Sequence, residues 1–168
     1  MTISGKLPSG STTPTTVYLW QELAGQSSFT RIAQATTDAA GDYTFVRGAG
    51  VVQTNASWYT TSAAGDSSPS LGQRVGAKVR LVKAVVDGTL VRLTGGVSPS
   101  QRGQRISLQR YTTGKHWDTV ASAAIGARSR FTLRHRFARR GTVVLRAVFG
   151  GDARNAGAAS APLRVLVR

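Results

Sequence analysis

Apolar and polar residues alternate with a period of two along most of this chain. Phe131, Leu133, His135 and Phe137 take turns with Arg130, Thr132, Arg134 and Arg136, the pattern of a strand with one face buried. Ile106/Leu108, Val143/Leu145/Ala147 and Leu163/Val165/Val167 repeat it. Turn chemistry separates the runs at Ala40-Gly41, Gly65, Thr113-Gly114, Gly126, Gly141 and Gly150-Gly151. No window sustains an apolar stripe at the ~3.6-residue helical spacing, so the chain reads as all-β. Over 77–168 the alternation predicts seven strands, at roughly 78–86, 89–97, 105–111, 116–122, 129–137, 142–149 and 162–168.

The same order of elements occurs twice. Ile3-Ser-Gly-Lys-Leu-Pro-Ser-Gly10 resembles Leu93-Thr-Gly-Gly-Val-Ser-Pro-Ser100, and Val17-Tyr-Leu-Trp20 resembles Ile106-Ser-Leu-Gln109. Phe29-Thr-Arg-Ile-Ala33 matches Trp117-Asp-Thr-Val-Ala121, Tyr43-Thr-Phe45 matches Phe131-Thr-Leu133, and Ala63-Ala-Gly-Asp66 matches Phe149-Gly-Gly-Asp152. Matches in one order along both halves mark an internal repeat. The expected domains are 1–76 and 77–168, two tandem β-sandwiches with thin cores, since a domain of about 80 residues buries a limited share of its surface.

Seven short strands with turns between them suit an immunoglobulin-like sandwich. The run Gly-Val-Ser-Pro, Ile-Ser-Leu-Gln-Arg, Trp-Asp-Thr-Val-Ala, Arg-Phe-Thr-Leu and Leu-Arg-Ala-Val-Phe-Gly-Gly-Asp within 96–152 resembles the bacterial immunoglobulin-like (fibronectin III-like) tandem repeats of secreted and cell-surface proteins. The likeness covers 77–168 and, more loosely, 1–76. It implies a spacer, adhesion or polymer-binding role at the cell surface, and it carries no catalytic residues to transfer. Aligning Ser70-Leu71 with Pro162-Leu163 makes 69–75 the last strand of repeat one and 78–86 the opening strand of repeat two. No counterpart of that opening strand precedes Thr2. Two explanations stand: a piece of a longer chain, or a strand donated by a neighbouring subunit.

Charge divides the halves. Residues 1–76 hold four bases (Lys6, Arg31, Arg47, Arg74) and four acids (Glu22, Asp38, Asp42, Asp66), while 77–168 hold 18 bases against three acids (Asp87, Asp118, Asp152), which is the whole net charge of +15. A basic half suits nucleic acid, anionic cell-wall polymer or a membrane surface, or simply makes a solvated face. There is no cysteine, which removes disulfides, thiolate metal sites and a cysteine nucleophile. No apolar run approaches the ~18 residues of a membrane span. Met1 leads straight into a strand-like segment, so an export signal is expected outside these residues.

Two histidines and seven acids leave little for catalysis. His116 and Asp118 share one strand face, but no nucleophile motif, P-loop or zinc-binding His pair accompanies them. Hairpin residues are the plainer reading, and His135 falls in an inward phase as a core or rim histidine. Asp38 and Asp42 flank a turn with the wrong spacing for a calcium loop, and a β-turn through Gly41 accounts for them. Asn55-Ala-Ser57 matches a glycosylation sequon, read as coincidence in a bacterial chain. The expectation is a non-enzyme with no cofactor and no metal site.

Two surface features stand out. Val17 and Leu19 take the inward positions of Ile106 and Leu108, which turns Tyr18 and Trp20 outward. Tyr59 aligns with inward Leu145, which turns Trp58 outward as well. Tyr18, Trp20 and Trp58 then form an exposed aromatic patch without a counterpart at Ser107, Gln109 and Val144, a contact surface for a sugar ring, a subunit or a domain. A register one residue off puts them in the core instead. The second feature is basic. Lys78, Arg80, Arg92, Arg130, Arg134 and Arg136 occupy outward positions of three strands expected in one sheet, and Arg139 and Arg140 extend them. Such a face binds polyanions in a salt-dependent way, or else serves as a charged surface against edge-to-edge association. It lacks the outward aromatics that stack single-stranded bases, which disfavours nucleic acid.

Three functions are compatible with this pattern. The leading one is a non-catalytic structural or adhesive module of an extracellular bacterial surface protein or filament, contacting copies of itself or neighbouring domains. The short connection Val75-Gly-Ala-Lys-Val79 suits a stiff spacer. The others are a module for glycan or anionic cell-envelope polymer, and an accessory domain of a secreted enzyme.

Overall fold

The computed structural model describes residues 1–8, 14–48 and 50–168, and contacts divide the chain into two compact units, Met1–Val75 and Gly76–Arg168. Ser9 and Gly10, the end of the first repeat match, lie outside the described residues.

Unit 1 has six strands: β1 (Thr2–Lys6), β2 (Thr16–Leu23), β3 (Thr30–Thr36), β4 (Asp42–Val46), β5 (Ala56–Ser62) and β6 (Leu71–Gln73). β1 and β4 form a two-stranded antiparallel sheet, and the facing sheet runs β3-β2-β5-β6. Val17, Leu19, Tyr43, Phe45, Ala56 and Trp58 meet between them as one core. The inward row of β5 also buries Thr60 and Ser62. Both are satisfied: the Tyr43 hydroxyl lies 2.9 Å from Thr60 Oγ1, and Ser62 Oγ donates to Asp66 at 2.9 Å, which removes most of the cost of burying a hydroxyl.

Unit 2 continues with β7 (Lys78–Asp87), β8 (Leu90–Ser98), β9 (Arg105–Tyr111), β10 (Trp117–Ala124), β11 (Arg130–Arg136), β12 (Gly141–Gly151), β13 (Ala156–Ala159) and β14 (Leu163–Val167). One sheet is β11-β8-β7; the other is β10-β9-β12, with β13 and β14 both pairing β12. Strands that cross between two facing antiparallel sheets in this order make an immunoglobulin-like sandwich. Its core draws Val91, Leu93, Phe131 and Leu133 from one sheet and Ile106, Leu108, Leu145 and Phe149 from the other. Burying each such side chain is worth ~1.5–3 kcal/mol against leaving it in water.

The seven strands expected over 77–168 are present, with ends within two residues of expectation, and the last strand of unit 1 is the three-residue β6. β13 was not expected. Its sequence, Ala-Gly-Ala-Ala, lacks the branched and aromatic residues that mark strands. A tight approach requires its glycine: a Cβ on Gly157 would lie 2.8 Å from the Gly150 carbonyl.

Ladder register shows how deep the repeat runs. Ile3 and Gly5 oppose Phe45 and Tyr43, as Leu93 and Gly95 oppose Leu133 and Phe131. Each glycine accommodates an aromatic ring: a Cβ on Gly5 would meet the Tyr43 hydroxyl at 2.3 Å, and one on Gly95 the Phe131 ring at 2.5 Å and the Arg80 carbonyl at 2.3 Å. Gly96 next door has nothing nearer than 3.5 Å. Gly95→Ala is therefore expected to lower the stability of unit 2 by ~1–3 kcal/mol, the usual cost of overpacking. Gly96→Ala should change it by less than ~0.5 kcal/mol. Urea titration of the two variants checks the contrast.

Candidate functional site

The outer face of β11-β8-β7 in unit 2 is strongly basic. Lys78, Arg80, Arg92, Arg130, Arg134 and Arg136 are all exposed on it, which is the arrangement the alternation suggested. Register brings them together. Arg92 lies directly opposite Arg134, and Arg130 and Arg80 flank Gly96 from either side. The Phe137 amide donates to the Thr89 carbonyl, so alternation along the ladder makes Arg92–Arg134 a non-hydrogen-bonded pair, with Cα atoms ~4.5 Å apart and side chains close. Like charges so placed repel. Among the described residues the one salt bridge is Lys6–Asp42, at 3.4 Å and exposed, so no carboxylate neutralises these arginines.

Arg128 adds a cation that the alternation did not single out. It sits in the 3-10 turn Ala127–Ser129, where Arg128 (φ 53°) and Ser129 (φ 57°) both take left-handed backbone, a conformation uncommon outside glycine. Buried Ser129 secures the turn: its Oγ accepts the Gln101 amide at 2.8 Å. Gln101 is itself buried and donates to Asn155 Oδ1 at 2.6 Å. The result is an open cleft of about 630 Å³ with Lys78, Arg80, Arg128 and Arg130 in its lining. Ala-Arg-Ser contains none of the usual turn residues for positive φ, so nothing local in the sequence marked Arg128.

The aromatic patch of unit 1 exists with one member exchanged. Tyr18 and Trp20 are half-buried on the outer face of β2. Trp58, however, is 1% exposed and belongs to the core, against the outward position expected for it. The repeat alignment slipped by one residue on β5: Leu19 opposes Thr60 where Leu108 opposes Ala147, so it is Trp58 and not Tyr59 that matches Leu145. A one-residue slip inverts the two faces of a strand, and the buried hydroxyls of Thr60 and Ser62 disguised the inward row. Tyr59 takes the outer place. Its ring stacks on Trp20 with centroids 5.9 Å apart and planes within 4°, and Phe29 meets it edge-on at 4.8 Å. Arg31 lies over Tyr18 at 4.7 Å, a cation–π contact, and the Trp20 indole donates to Thr61 Oγ1 at 3.0 Å.

Unit 2 does carry aromatics on the corresponding sheet, displaced from the positions considered above. Tyr111 and Trp117 lie 5.2 Å apart, and the Arg146 guanidinium covers Trp117 at 4.1 Å.

The remaining candidates serve the backbone. Asp38 Oδ1 accepts the amides of Ala40 and Asp42 at 2.9 Å, with Gly41 at φ +82°, a side-chain-stabilised turn. Asp152 does the same for Arg154 and Asn155. Asn55 Oδ1 accepts the Val75 amide at 2.8 Å. His116 and Asp118 are exposed, and the His116 carbonyl closes a turn with Thr112. His135 is half-buried, edge-on to Phe137 at 4.5 Å. Among the described residues no three His, Cys, Asp or Glu side chains assemble as a ligand set, and no helix is long and apolar enough to cross a membrane.

No family model and no curated protein matches the chain. Solved structures similar to it include a tetra-tandem repeat in the extending region of a large adhesion protein, at 16% identity over 98% of this chain and 45% of that one, with TM-score 0.46. They also include the chicken interferon gamma receptor alpha chain (12% identity, 96% of this chain, 88% of that one, TM-score 0.48) and the D00-D0 domain of intimin (14% identity, 99% and 92%, TM-score 0.34). The chain spans under half the length of the adhesion-protein repeat. The fold assignment stands on the chain's own strand order and register.

The two tryptophans of unit 1 are expected to respond differently to truncation. Trp58→Ala empties the core and should cost ~3–5 kcal/mol. Trp20→Ala loses a partly exposed stacking pair worth ~0.5–1.5 kcal/mol beyond its buried area, so it should cost clearly less. Chemical denaturation followed by far-ultraviolet circular dichroism distinguishes them, and equal losses would contradict the assignment of faces.

Proposed function

We propose that the chain is a non-catalytic structural and adhesive module of an extracellular bacterial surface protein or filament, acting as a stiff spacer and a contact surface. One observation carries the reading: each unit devotes an outer sheet face to a single class of contact group. In unit 1 these are Trp20, Tyr59, Phe29 and Tyr18, rigid aromatics suited to contact at low entropic cost. In unit 2 they are the arginines of β7, β8 and β11. The adhesion-protein repeat and intimin, to which the chain is structurally similar, are consistent with that setting. Beads coated with the full chain should adhere to isolated bacterial envelope, with retention reduced by Trp20→Ala or by loss of the arginines. Indifference of retention to both changes would sink the contact role.

The Arg92–Arg134 opposition favours a second, narrower role for unit 2, the capture of an anionic envelope polymer. Two guanidinium forks at adjacent positions suit successive phosphate or carboxylate groups. Each charge-assisted hydrogen bond lost costs ~1.5–3 kcal/mol, so Arg92→Gln with Arg134→Gln should weaken binding to a polyol-phosphate polymer at least about tenfold at low salt. Binding by the unaltered chain should fall steeply as salt rises. The double variant should also be more stable by ~0.2–1 kcal/mol, because it removes a like-charge pair. Binding that ignores salt, or a variant that binds normally, rules this role out.

A further inference from the structure

β1 presents a free edge. β4 pairs it on one side, and among the described residues no strand lies on the other. The Leu7 amide donates to the Gly41 carbonyl and the Arg47 amide to the Met1 carbonyl, so the odd-numbered residues of β1 face β4. Alternation along an antiparallel ladder then turns the N–H and C=O groups of Thr2, Ser4 and Lys6 toward the open edge. The strand contains no proline, bulge or inward-pointing charge, and its one lysine, Lys6, stands at its end and is paired with Asp42 on β4.

Beside that edge the sandwich of unit 1 is open. A groove of about 310 Å³ runs between the sheets, with Ile3, Gly5, Tyr43, Trp58, Pro69 and Leu71 among its lining residues. Unit 2 shows what occupies the matching place. There β7 pairs β8 along its length, with Leu81 opposite Gly95 and Val79 opposite Val97, and Val79 and Leu81 turn into the core. The difference is visible side chain by side chain. Leu93 is fully buried where its counterpart Ile3 is half-buried. Leu163 packs against the core of unit 2, whereas Leu71, which holds the same register, is 59% exposed. The Arg80 carbonyl passes so near Gly95 that a Cβ there would lie 2.3 Å from it, and unit 1 keeps glycine at the matching position, Gly5.

A second observation comes from Trp58. Its ring lines the groove, and its indole N–H is buried with no hydrogen-bond partner. A buried donor left unpaired costs ~1–3 kcal/mol, so this wall of the groove is not packed to satisfaction.

The geometry points to unit 1 as a strand acceptor: it binds an extended polypeptide segment that pairs antiparallel with β1 and sets alternate apolar side chains into the groove, as β7 does on β8. The partner's chemistry is that of β7, with aliphatic residues at every second position facing inward and polar or basic ones outward. Backbone pairing supplies affinity and the groove supplies selectivity for the apolar row. A second copy of this chain is a poor occupant, because its own β7 is already paired with β8 and would have to be released. The inference stands on the geometry of unit 1 and does not depend on where the protein works.

The test uses the full chain and a synthetic peptide with the sequence of Lys78–Asp87. With peptide at ~100 times its Kd, exchange of the Ser4 and Lys6 amides should slow by up to ~100-fold, while amides of unit 2 are unaffected. A peptide with Val79→Asp and Leu81→Asp should give no protection. In the chain, Ser4→Pro removes an outward donor while leaving the β4 ladder intact, so it should abolish binding with an unchanged melting temperature. If that variant is misfolded, the aspartate peptide still decides the matter. Absence of protection at Ser4 and Lys6, equal protection by the aspartate peptide, or protection that rises with protein concentration alone (a second copy filling the groove) would overturn the inference.

Discussion

Side-chain placement in this protein depends on the register of its hydrogen-bonded ladders. Neighbouring residues on a strand point to opposite faces, so one pairing decides core and surface together. β8 and β11 show the coupling. The register that sets Leu93 against Leu133 in the core also sets Arg92 against Arg134 on the outer face. The repulsion between the arginines cannot be relieved by sliding the strands, because a slip of one residue would turn the apolar row into water. Burial of that row holds the cations together.

The two units fill one framework differently. In unit 2 the inward row of β12 is Leu145, Ala147 and Phe149, all apolar. In unit 1 the matching row is Trp58, Thr60 and Ser62, so the core contains hydroxyls that need partners. Tyr43 and Asp66 supply them. The large aromatic surface moves partly outward, to Trp20, Tyr59 and Phe29. Unit 1 is neutral and aromatic outside, unit 2 basic outside, and both patterns sit on ladders of the same order.

A sandwich this small depends on its edge strands, since little apolar area is buried in either layer. Unit 2 closes its edge with β7. Among the described residues β1 of unit 1 carries no such strand, and there Leu71 is exposed and Ile3 only half-buried.

Alternation and turn chemistry by themselves determined the strands of 77–168, the repeat, and the outward phase of Lys78, Arg80, Arg92, Arg130, Arg134 and Arg136. Where apolar and polar residues alternate cleanly, one strand carries the information about its own faces. Tertiary structure decided the rest. Trp58 became core because Tyr43 satisfies Thr60 from another strand and Asp66 satisfies Ser62 from the following turn, and alternation does not show a polar residue to be paired. Arg128 joined the basic face because Gln101, far away in the chain, grips Ser129 in a left-handed turn. β13 has glycine at 157 because the Gly150 backbone approaches too closely there for a side chain. Each depends on a contact made between elements or across a turn, which the periodicity of a single strand does not encode.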